Sequence, residues 1–376
     1  MSTTAHQLAP TQSCRIPADA SLLRAGSWFL HSGIQESTGG VARYYLIDQR
    51  RNARLSTEIT GYATKAYCYL HRETGQLPYL LAARAAGQFL VQRAWNQDLQ
   101  LFPFEYPPTD SPAENRVFFF DCGIIIRGLI ALWRGTGEAV YLERARTCGL
   151  AMIHRFEHQG CFAPILQLPG GEPVAYGDRW SNNPGCYQLK SALAWLELFE
   201  ITGESRFAAA FETALLRALA DDLTFLPGAA NPSDVMDRLH AYSYFLEALL
   251  PVADRPECAA RLRDGIDRLA AFARQIAPVF ARSDVWAQLL RLRLFAAKQG
   301  VKELDHQQAT QEVESIVSFQ WDSPELRLHG GYCFGRRHGQ LTPFANPVST
   351  AFCMQALHLW RKWLQGGLDE NWRDLI

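Results

Sequence analysis

The chain has 376 residues, a length that by itself predicts two or three domains. Its 37 Lys and Arg residues balance 38 Asp and Glu residues, which argues against the broadly basic surface that nucleic-acid binding requires. Hydrophobic residues make up 48% of the sequence, and this excludes wholesale disorder.

Cysteine usage and the first residues bear on location. The nine cysteines include no C-x-x-C pair, which is typical of reduced thiols in a reducing compartment. Residues 1–15 lack the basic start and apolar run of a secretory signal, and no run of 18 apolar residues predicts a membrane span. We therefore expect a cytoplasmic protein whose residues 1–16 are flexible.

A weak internal repeat organises the chain. Segments 69–87, 132–149 and 198–214 each end an apolar helix in Thr-Gly and then open an Ala- and Arg-rich helix. The Thr-Gly pairs lie at 74–75, 136–137 and 202–203, so the spacing is 62 and then 66 residues. Because glycine typically ends a helix and a short turn joins antiparallel helices, the unit is a helical hairpin.

The repeat extends to six hairpins. Apolar helices rich in small residues are predicted to begin near Thr57, Asp121, Gly185, Asp237, Ser283 and Asn346. More amphipathic partner helices are predicted near 77–93, 138–155, 204–221, 255–275 and 301–317. The segment Ala18–His31 supplies a sixth partner that closes the ring. The sequence thus predicts an all-α fold, an (α/α)6 toroid formed by one domain over 1–376.

The connections differ in length. Turns from inner to outer helices are short, whereas connections back to the next inner helix are long. The long connections are predicted over 94–119, 156–184, 222–236 and 318–345, with short strands at Val41–Ile47 and Arg327–Phe334. They gather at the N-terminal ends of the inner helices and carry many aromatic residues, which suits a polar or anionic ligand with apolar faces, such as a carbohydrate.

Polar residues near the starts of the inner helices are the candidates for chemistry. Asp284, Gln288 and Arg291 recur at i, i+4 and i+7, a polar stripe along an otherwise apolar helix. The predicted catalytic residues are Glu58, Asp121, Asp237, His240 and Asp284. The predicted substrate-binding residues are Arg127, Trp180, Tyr187, Gln188, Lys190, Tyr244, Trp286, Gln288, Arg291 and Asn346. In the alternative interpretation, Asp121, Asp237, Ser283 and Asn346 are helix caps.

Other motifs in the sequence do not indicate a metal, nucleotide or nucleophile site. The segment 154–158 matches H-x-x-E-H, a zinc-binding pattern, but it falls at the end of an outer helix, away from the inner ring. The chain has no G-x-S-x-G, P-loop or G-x-G-x-x-G motif. We therefore expect neither a metal nor a cofactor, and the sequence predicts no oligomeric state.

The hairpins and inner-helix segments resemble the six-hairpin glycosidase superfamily. Segments such as STEITGYA (56–63), FFFDCGIIIRGL (118–129) and NPVSTAFCMQALHLW (346–360) are similar to inner helices of such toroids. The group includes glucuronyl hydrolases, polysaccharide lyases and N-acylglucosamine 2-epimerases. The resemblance implies a carbohydrate-active enzyme, but it transfers no family catalytic residue.

Several functions follow from these residues. A glycoside hydrolase acting on a sugar or uronate-containing glycan would draw its acid and base from the predicted carboxylates. A lyase or epimerase would instead use His240 or a tyrosine as the base, with Arg127, Lys190 and Arg291 neutralising developing charge. A non-catalytic glycan-binding toroid is a further alternative. A terpene-cyclase toroid is disfavoured, because the one adjacent Asp pair, at 221–222, lies at an outer helix end.

Overall fold

The computed structural model describes residues 18–111, 115–226 and 232–376, and the predicted flexibility of residues 1–16 lies outside them. Within this part of the chain there are twelve α-helices. They are α1 Ala18–His31, α2 Thr57–Thr74, α3 Leu77–Gln88, α4 Phe119–Thr136, α5 Ala139–Phe156, α6 Gln188–Thr202, α7 Ser205–Phe225, α8 Pro232–Leu249, α9 Pro256–Ile276, α10 Ser283–Lys298, α11 His306–Val317 and α12 Pro347–Leu364. A π-helical turn, Phe89–Ala94, extends α3.

The even-numbered helices form a closed inner ring. Each contacts the next, from α2 to α4 and onward to α12, and α12 contacts α2. The odd-numbered helices pack outside them, with α1 against α12. This arrangement is the predicted (α/α)6 toroid, and Ala18–His31 is the sixth outer helix, as the sequence indicated.

The repeated Thr-Gly pairs end inner helices in the same way. In the second repeat, the Thr136 hydroxyl donates to the Leu132 carbonyl at 2.8 Å and accepts the Glu138 N–H at 3.2 Å. Gly137 follows at φ 73°, a conformation that glycine adopts without strain. The first and third repeats use the same contacts at Gly75 and Gly203.

Small residues let the inner helices approach closely. A Cβ atom added at Gly128 on α4 would lie 2.4 Å from the Gly61 carbonyl oxygen on α2. One added at Gly123 would lie 1.9 Å from the Ser191 hydroxyl on α6. Because side chains at these positions would force the ring apart, the inner helices keep glycine where their backbones meet.

Short strands lie in the connections. They are β1 Tyr45–Leu46, β2 Arg51–Asn52, β3 Leu55–Ser56, β4 Glu105–Tyr106, β5 Arg116–Phe118, β6 Glu157–His158, β7 Cys161–Phe162, β8 Ile165–Gln167, β9 Glu172–Pro173, β10 Phe280–Arg282, β11 Gly335–Arg337, β12 Gln340–Leu341 and β13 Phe344–Ala345. All pairings are antiparallel, in the sheets β13-β1-β2, β10-β11-β12, β5-β8-β9, β3-β4 and β6-β7.

Two predicted features of the connections are wrong. The connection predicted over 222–236 is shorter, because α7 continues to Phe225 and α8 already begins at Pro232. The strand over Arg327–Phe334 is also absent: only isolated bridges form at Tyr332 and Cys333, and β11 follows them. The Val41–Ile47 segment does contribute β1.

The segment 365–376 covers the other end of the inner ring. The Trp372 carbonyl accepts from Arg127 on α4 at 3.1 Å, and the Ile376 N–H donates to Gln355 on α12 at 3.1 Å. Leu375 and Ile376 are each 1% exposed. We call this the closed end of the ring. Among the described residues, no helix combines the length and apolar character that a bilayer crossing requires.

Candidate functional site

A cavity of about 550 Å³ opens where the inner helices begin, a size common for small-molecule sites. We call it the inner-ring cavity. Its lining residues are Arg43, Glu58, Phe104, Arg116, Phe118, Phe120, Asp121, Pro164, Arg179, Trp180, Ser181, Asn182, Tyr187, Gln188, His240 and Tyr244. Seven of the fifteen predicted site residues are thus brought together: Glu58, Asp121, Trp180, Tyr187, Gln188, His240 and Tyr244. Among the described residues of this lining, His240 is the only histidine, and Glu58 and Asp121 are the only carboxylates.

Glu58 and Asp121 meet in the cavity because they occupy the first turns of neighbouring helices, α2 and α4. Burial raises the pKa of Glu58 to about 7, although the Arg43 guanidinium opposes the shift. Burial also raises the pKa of Asp121 well above its usual range, and the nearby charge of Glu58 raises it further. The two carboxyls therefore interact, and the pair holds a proton to higher pH than two isolated carboxyls would.

Neither carboxyl is neutralised as a structural ion pair would be. Asp121 is 5% exposed, and its Oδ2 has no hydrogen-bond partner among the described residues. Glu58 makes no side-chain hydrogen bond within the same ranges. The nearby Arg43 is itself committed elsewhere, because it lies 3.6 Å from Glu105 and stacks over the Phe104 ring at 5.0 Å.

His240 is held in one tautomer. Its Nδ1 lies 2.9 Å from Oε1 of Gln288 and 3.5 Å from Oδ2 of Asp284, and both of these atoms accept hydrogen bonds. The proton consequently sits on Nδ1, which leaves Nε2 with a free lone pair. Burial, assisted by the charge of Arg282, lowers the pKa of His240 to about 4, so the ring is neutral at pH 7.

Asp284 and Asp237 are bound by one arginine. Arg282 donates to both oxygens of Asp284, at 3.0 and 2.6 Å, and to Asp237 at 2.8 Å. Burial alone would raise the pKa of Asp284, but Arg282 outweighs it and lowers that pKa. Asp284 does not line the inner-ring cavity, and Asp237 lines an adjacent cavity of about 530 Å³ that shares Arg179, Trp180 and Ser181.

Of the four residues interpreted alternatively as helix caps, one caps a helix. Asn346 precedes α12, and its Oδ1 accepts the Ser349 N–H at 3.0 Å. Asp121 is the third residue of α4 and Asp237 the sixth of α8, so neither is a cap. Ser283 is the first residue of α10, and its hydroxyl donates to the Cys333 carbonyl at 2.7 Å. Asn346, predicted to bind substrate, lies outside the cavity lining.

An aromatic wall contains three of the predicted binding residues. The Trp180 ring stands edge-on to Tyr187 at 5.2 Å between centroids, and the Tyr187 hydroxyl donates to the Asn183 carbonyl at 3.0 Å. The Tyr244 hydroxyl accepts from Tyr62 at 3.0 Å, so Tyr244 can still donate into the cavity. Gln188 lines the cavity as well, although its side-chain amide donates to the Phe162 carbonyl at 3.0 Å.

The predicted cationic binding residues lie deeper in the ring. Lys190 and Arg291 both pair with Glu247, at 2.7 and 2.5 Å, and Arg127 pairs with Glu197 at 2.8 Å. All three cations are buried and absent from the cavity lining. Trp286 also lies elsewhere, in a groove that it shares with Arg274 and Glu312.

Three arginines at the cavity were missed by the sequence analysis. They are Arg43, Arg116 and Arg179. Arg116 lies on β5, directly before α4, and this position is a signal that was available in the sequence. Arg43 and Arg179 come from connections without periodicity, so no pattern pointed to them. Arg282, which holds Asp284, was also missed, although it directly precedes α10.

One cluster has the composition of a metal site. Glu73, His358 and Glu370 bring their ligand atoms within 4.8 Å of one another. The Lys362 ammonium already lies 2.9 Å from Glu73 and also pairs with Glu370. The protein itself therefore neutralises the carboxylates of this cluster. In the H-x-x-E-H segment, His154 is exposed near the end of α5.

Comparison with known proteins identifies the architecture. The sequence matches no protein-family model and no curated protein. Three solved structures are similar in fold. A cellobiose 2-epimerase from Spirochaeta thermophila is 14% identical with a TM-score of 0.69, over 93% of this chain and 99% of that one. A D-mannose isomerase is 10% identical with a TM-score of 0.68, over 93% and 98%.

The third structure is an α-1,6-mannanase from a Salegentibacter species in complex with α-1,6-mannotriose. It is 11% identical with a TM-score of 0.57, over 90% of this chain and 99% of that one. These similar proteins are carbohydrate-active enzymes that catalyse different reactions, and at such identities the likeness establishes the fold alone. The chain shares the (α/α)6 toroid fold of these enzymes.

Proposed function

We propose that the chain is a carbohydrate-active enzyme that hydrolyses a glycosidic bond in the inner-ring cavity, with Asp121 as general acid and Glu58 as base or nucleophile. The observation that carries the proposal is the pair of interacting carboxyls, neither of which has a compensating ion pair. A buried carboxyl without a partner destabilises a fold, so its presence in a cavity favours a catalytic role.

The assignment of roles follows from the two environments. Burial and the neighbouring charge of Glu58 both raise the pKa of Asp121, which suits the carboxyl whose proton a leaving-group oxygen takes up when the glycosidic bond breaks. Glu58 has a pKa of about 7, so it ionises near neutral pH and can act as the base or nucleophile. It then either removes a proton from the attacking water or attacks the anomeric carbon itself.

The residues at the rim of the cavity favour a sugar substrate that carries a negative charge. Arg43, Arg116 and Arg179 all line it, and guanidinium groups match carboxylates in planar, two-point contacts. The side chain of Arg179 makes no hydrogen bond or ion pair within the described ranges. Aromatic faces at Phe104, Trp180 and nearby rings suit the apolar faces of a sugar ring. A uronate-containing glycan fits this combination.

A second candidate reaction is proton transfer at a sugar carbon, as in an epimerase. His240 favours it, because its Nδ1–H is fixed by Gln288 and its Nε2 is the free basic atom of a ring that lines the cavity. In this reaction Nε2 would remove the proton from a carbon next to a carbonyl group, and a protonated carboxyl or Tyr244 would return one.

The test uses matched neutral and acidic probes. 4-Nitrophenyl glucoside and glucuronide, with the corresponding galacto pair, are screened for nitrophenolate release. We expect release from an acidic member, with kcat/KM falling by about 10²- to 10⁴-fold in Glu58→Gln and Asp121→Asn. Glu212→Gln is the control, because Glu212 lies on α7 and pairs with Arg255. Turnover within a few-fold of wild type in both carboxyl variants would overturn the assignment.

A separate measurement addresses the second candidate. If no glycoside is cleaved, free uronic acids and aldoses are incubated in D₂O, and carbon-bound hydrogen exchange is followed by NMR. Exchange that is abolished in His240→Asn would establish proton transfer instead of hydrolysis. Hydrolysis that survives in His240→Asn at reduced efficiency would favour the carboxyl pair.

A further inference from the structure

The closed end of the ring contains its own cavity, of about 320 Å³, away from the inner-ring cavity. We call it the closed-end cavity. Helices α2, α3 and α4 and the segment 365–376 form its walls. Its lining residues are Lys65, Cys68, Tyr69, His71, Arg72, Leu80, Ala131, Arg134, Gly135, Arg373 and Asp374. The proposed function uses none of these residues.

Two buried donors of this lining have no partner. Lys65 and Tyr69 lie one turn apart on the same side of α2 and are 6% and 4% exposed. Among the described residues, neither the Lys65 Nζ nor the Tyr69 hydroxyl has a hydrogen-bond partner. Because burying such groups unpaired is costly, their joint presence beside one cavity points to a ligand that accepts hydrogen bonds.

Three arginines surround these donors. Arg72, Arg134 and Arg373 pair with Glu73, Glu197 and Glu200, respectively. Each guanidinium has five N–H donors, and these pairs use only some of them. Among the described residues of the lining, Asp374 is the one acidic side chain, and it pairs with Arg72. Cations near the C-terminal ends of α2 and α4 also counter the helix dipoles. That role does not account for Lys65 and Tyr69, which lie before the last turn of α2.

The charges around Lys65 leave it short of negative partners. Arg127 from α4 and Lys190 from α6 oppose its positive charge, whereas Glu197 and Asp374 favour it. Arg127 and Lys190 already engage the acidic groups Glu197 and Glu247. Burial, followed by the charge of Arg127, lowers the pKa of Lys65 well below its usual range. An anion beside it would favour its charged form.

We propose that the closed-end cavity binds a small oxyanion, a phosphate or carboxylate group, with Lys65 and Tyr69 donating to its oxygens and the three arginines surrounding it. The site is separate from the inner-ring cavity, so it does not depend on the proposed reaction. A protonated Lys65 holds the anion better than a neutral amine would, so binding weakens as pH rises.

The test is titration calorimetry of the full chain with inorganic phosphate and, separately, with citrate, at constant ionic strength set by sodium chloride. Two buffers of different ionisation enthalpy report whether binding takes up a proton. We expect Lys65→Met to weaken binding by about 10- to 100-fold and Tyr69→Phe to weaken it by about 5-fold. Lys302→Met is the control, since Lys302 pairs with Asp267 outside this cavity and should leave binding unchanged.

Each outcome of these titrations either supports or contradicts the proposed anion site. Removing the unpaired, buried amino group of Lys65 leaves no orphaned charge, so Lys65→Met is expected to fold, and its circular dichroism verifies this. Preferential binding of phosphate or of citrate identifies which oxyanion the cavity takes. No binding of either anion above the chloride background would overturn the proposal. So would wild-type phosphate affinity in both Lys65→Met and Tyr69→Phe. Loss of sugar turnover in the carboxyl variants does not bear on it.

Discussion

Arg282 holds Asp284 through two parallel hydrogen bonds, 3.0 Å from Nε to Oδ1 and 2.6 Å from Nη2 to Oδ2. Both side chains are buried, and Asp284 in turn lies 3.5 Å from Nδ1 of His240. Asp284 thus remains ionised and helps to orient the imidazole, without lining the inner-ring cavity itself.

Breaking this pair should destabilise the protein. Arg282→Met leaves the Asp284 carboxylate buried without its cation, and we expect the free energy of unfolding to fall by about 3–5 kcal/mol. Urea unfolding followed by circular dichroism measures the change. The double variant Arg282→Met/Asp284→Asn should recover part of the loss, and Arg217→Met, at an exposed pair with Asp221, should change it by less than about 0.5 kcal/mol. A loss below about 1 kcal/mol in Arg282→Met would contradict the prediction.

Asp121→Asn should lower turnover sharply and yet stabilise the fold. A carboxyl whose folded-state pKa is raised favours folding only while it is protonated, so its cost grows as pH rises above the unfolded value near 3.8. The amide removes that cost, and a gain of about 1–3 kcal/mol at pH 7 is expected. Thermal unfolding at pH 4 and pH 7 checks the sign, because the gain should be smaller at pH 4. Equal or lower stability at pH 7 would refute the unpaired state of Asp121.

The pH dependence of kcat/KM separates the two proposed reactions. If Glu58 is the base, activity rises as pH increases through about 7, where this carboxyl ionises, and falls again when Asp121 loses its proton. If His240 is the base, the acid limb lies near pH 4 instead. The profile is measured between pH 3 and 10 on whichever substrate the screen identifies. An acid limb near 4 excludes Glu58 as the base.

Glu247 should matter for stability more than any one of its partners. It pairs with Lys190 at 2.7 Å and Arg291 at 2.5 Å inside the ring, where all three side chains are fully buried. Glu247→Gln leaves two buried cations without a counter-charge, and we expect a loss of about 3–5 kcal/mol in urea unfolding. Glu212→Gln, at an exposed pair, is the control. A loss confined to activity would instead place Glu247 at the substrate.

The hairpin turns give a matched pair of glycine substitutions. Gly137 has φ 73°, so Gly137→Ala should cost about 1–2 kcal/mol although no atom lies within 4 Å of the added Cβ. Gly135, two residues earlier, is helical, and its added Cβ meets only Leu80 at 4.0 Å. Gly135→Ala should therefore stabilise the protein by about 0.5–1 kcal/mol. Urea unfolding measures the free energy of unfolding of both variants. Changes of opposite sign would confirm the positive φ at Gly137, and equal changes would contradict it.

The amino-acid sequence by itself determined the ring. Thr-Gly pairs such as Thr136-Gly137 end a helix through contacts within five residues, and small residues such as Gly61 permit the close approach of inner helices. These are local or periodic features, so the hairpin count, the inner and outer roles and the end of the ring with the carboxylates were all predictable.

Only the tertiary structure decided which polar residues share a cavity. Glu58, Asp121 and Asp284 have the same sequence signature, a carboxylate in the first turn of an inner helix. What distinguishes them is a counter-ion: Arg282 neutralises Asp284, whereas Asp121 has no such partner among the described residues. Helical periodicity places a side chain on a face, but electrostatic pairing depends on which groups fold next to it, and here those groups come from the connections.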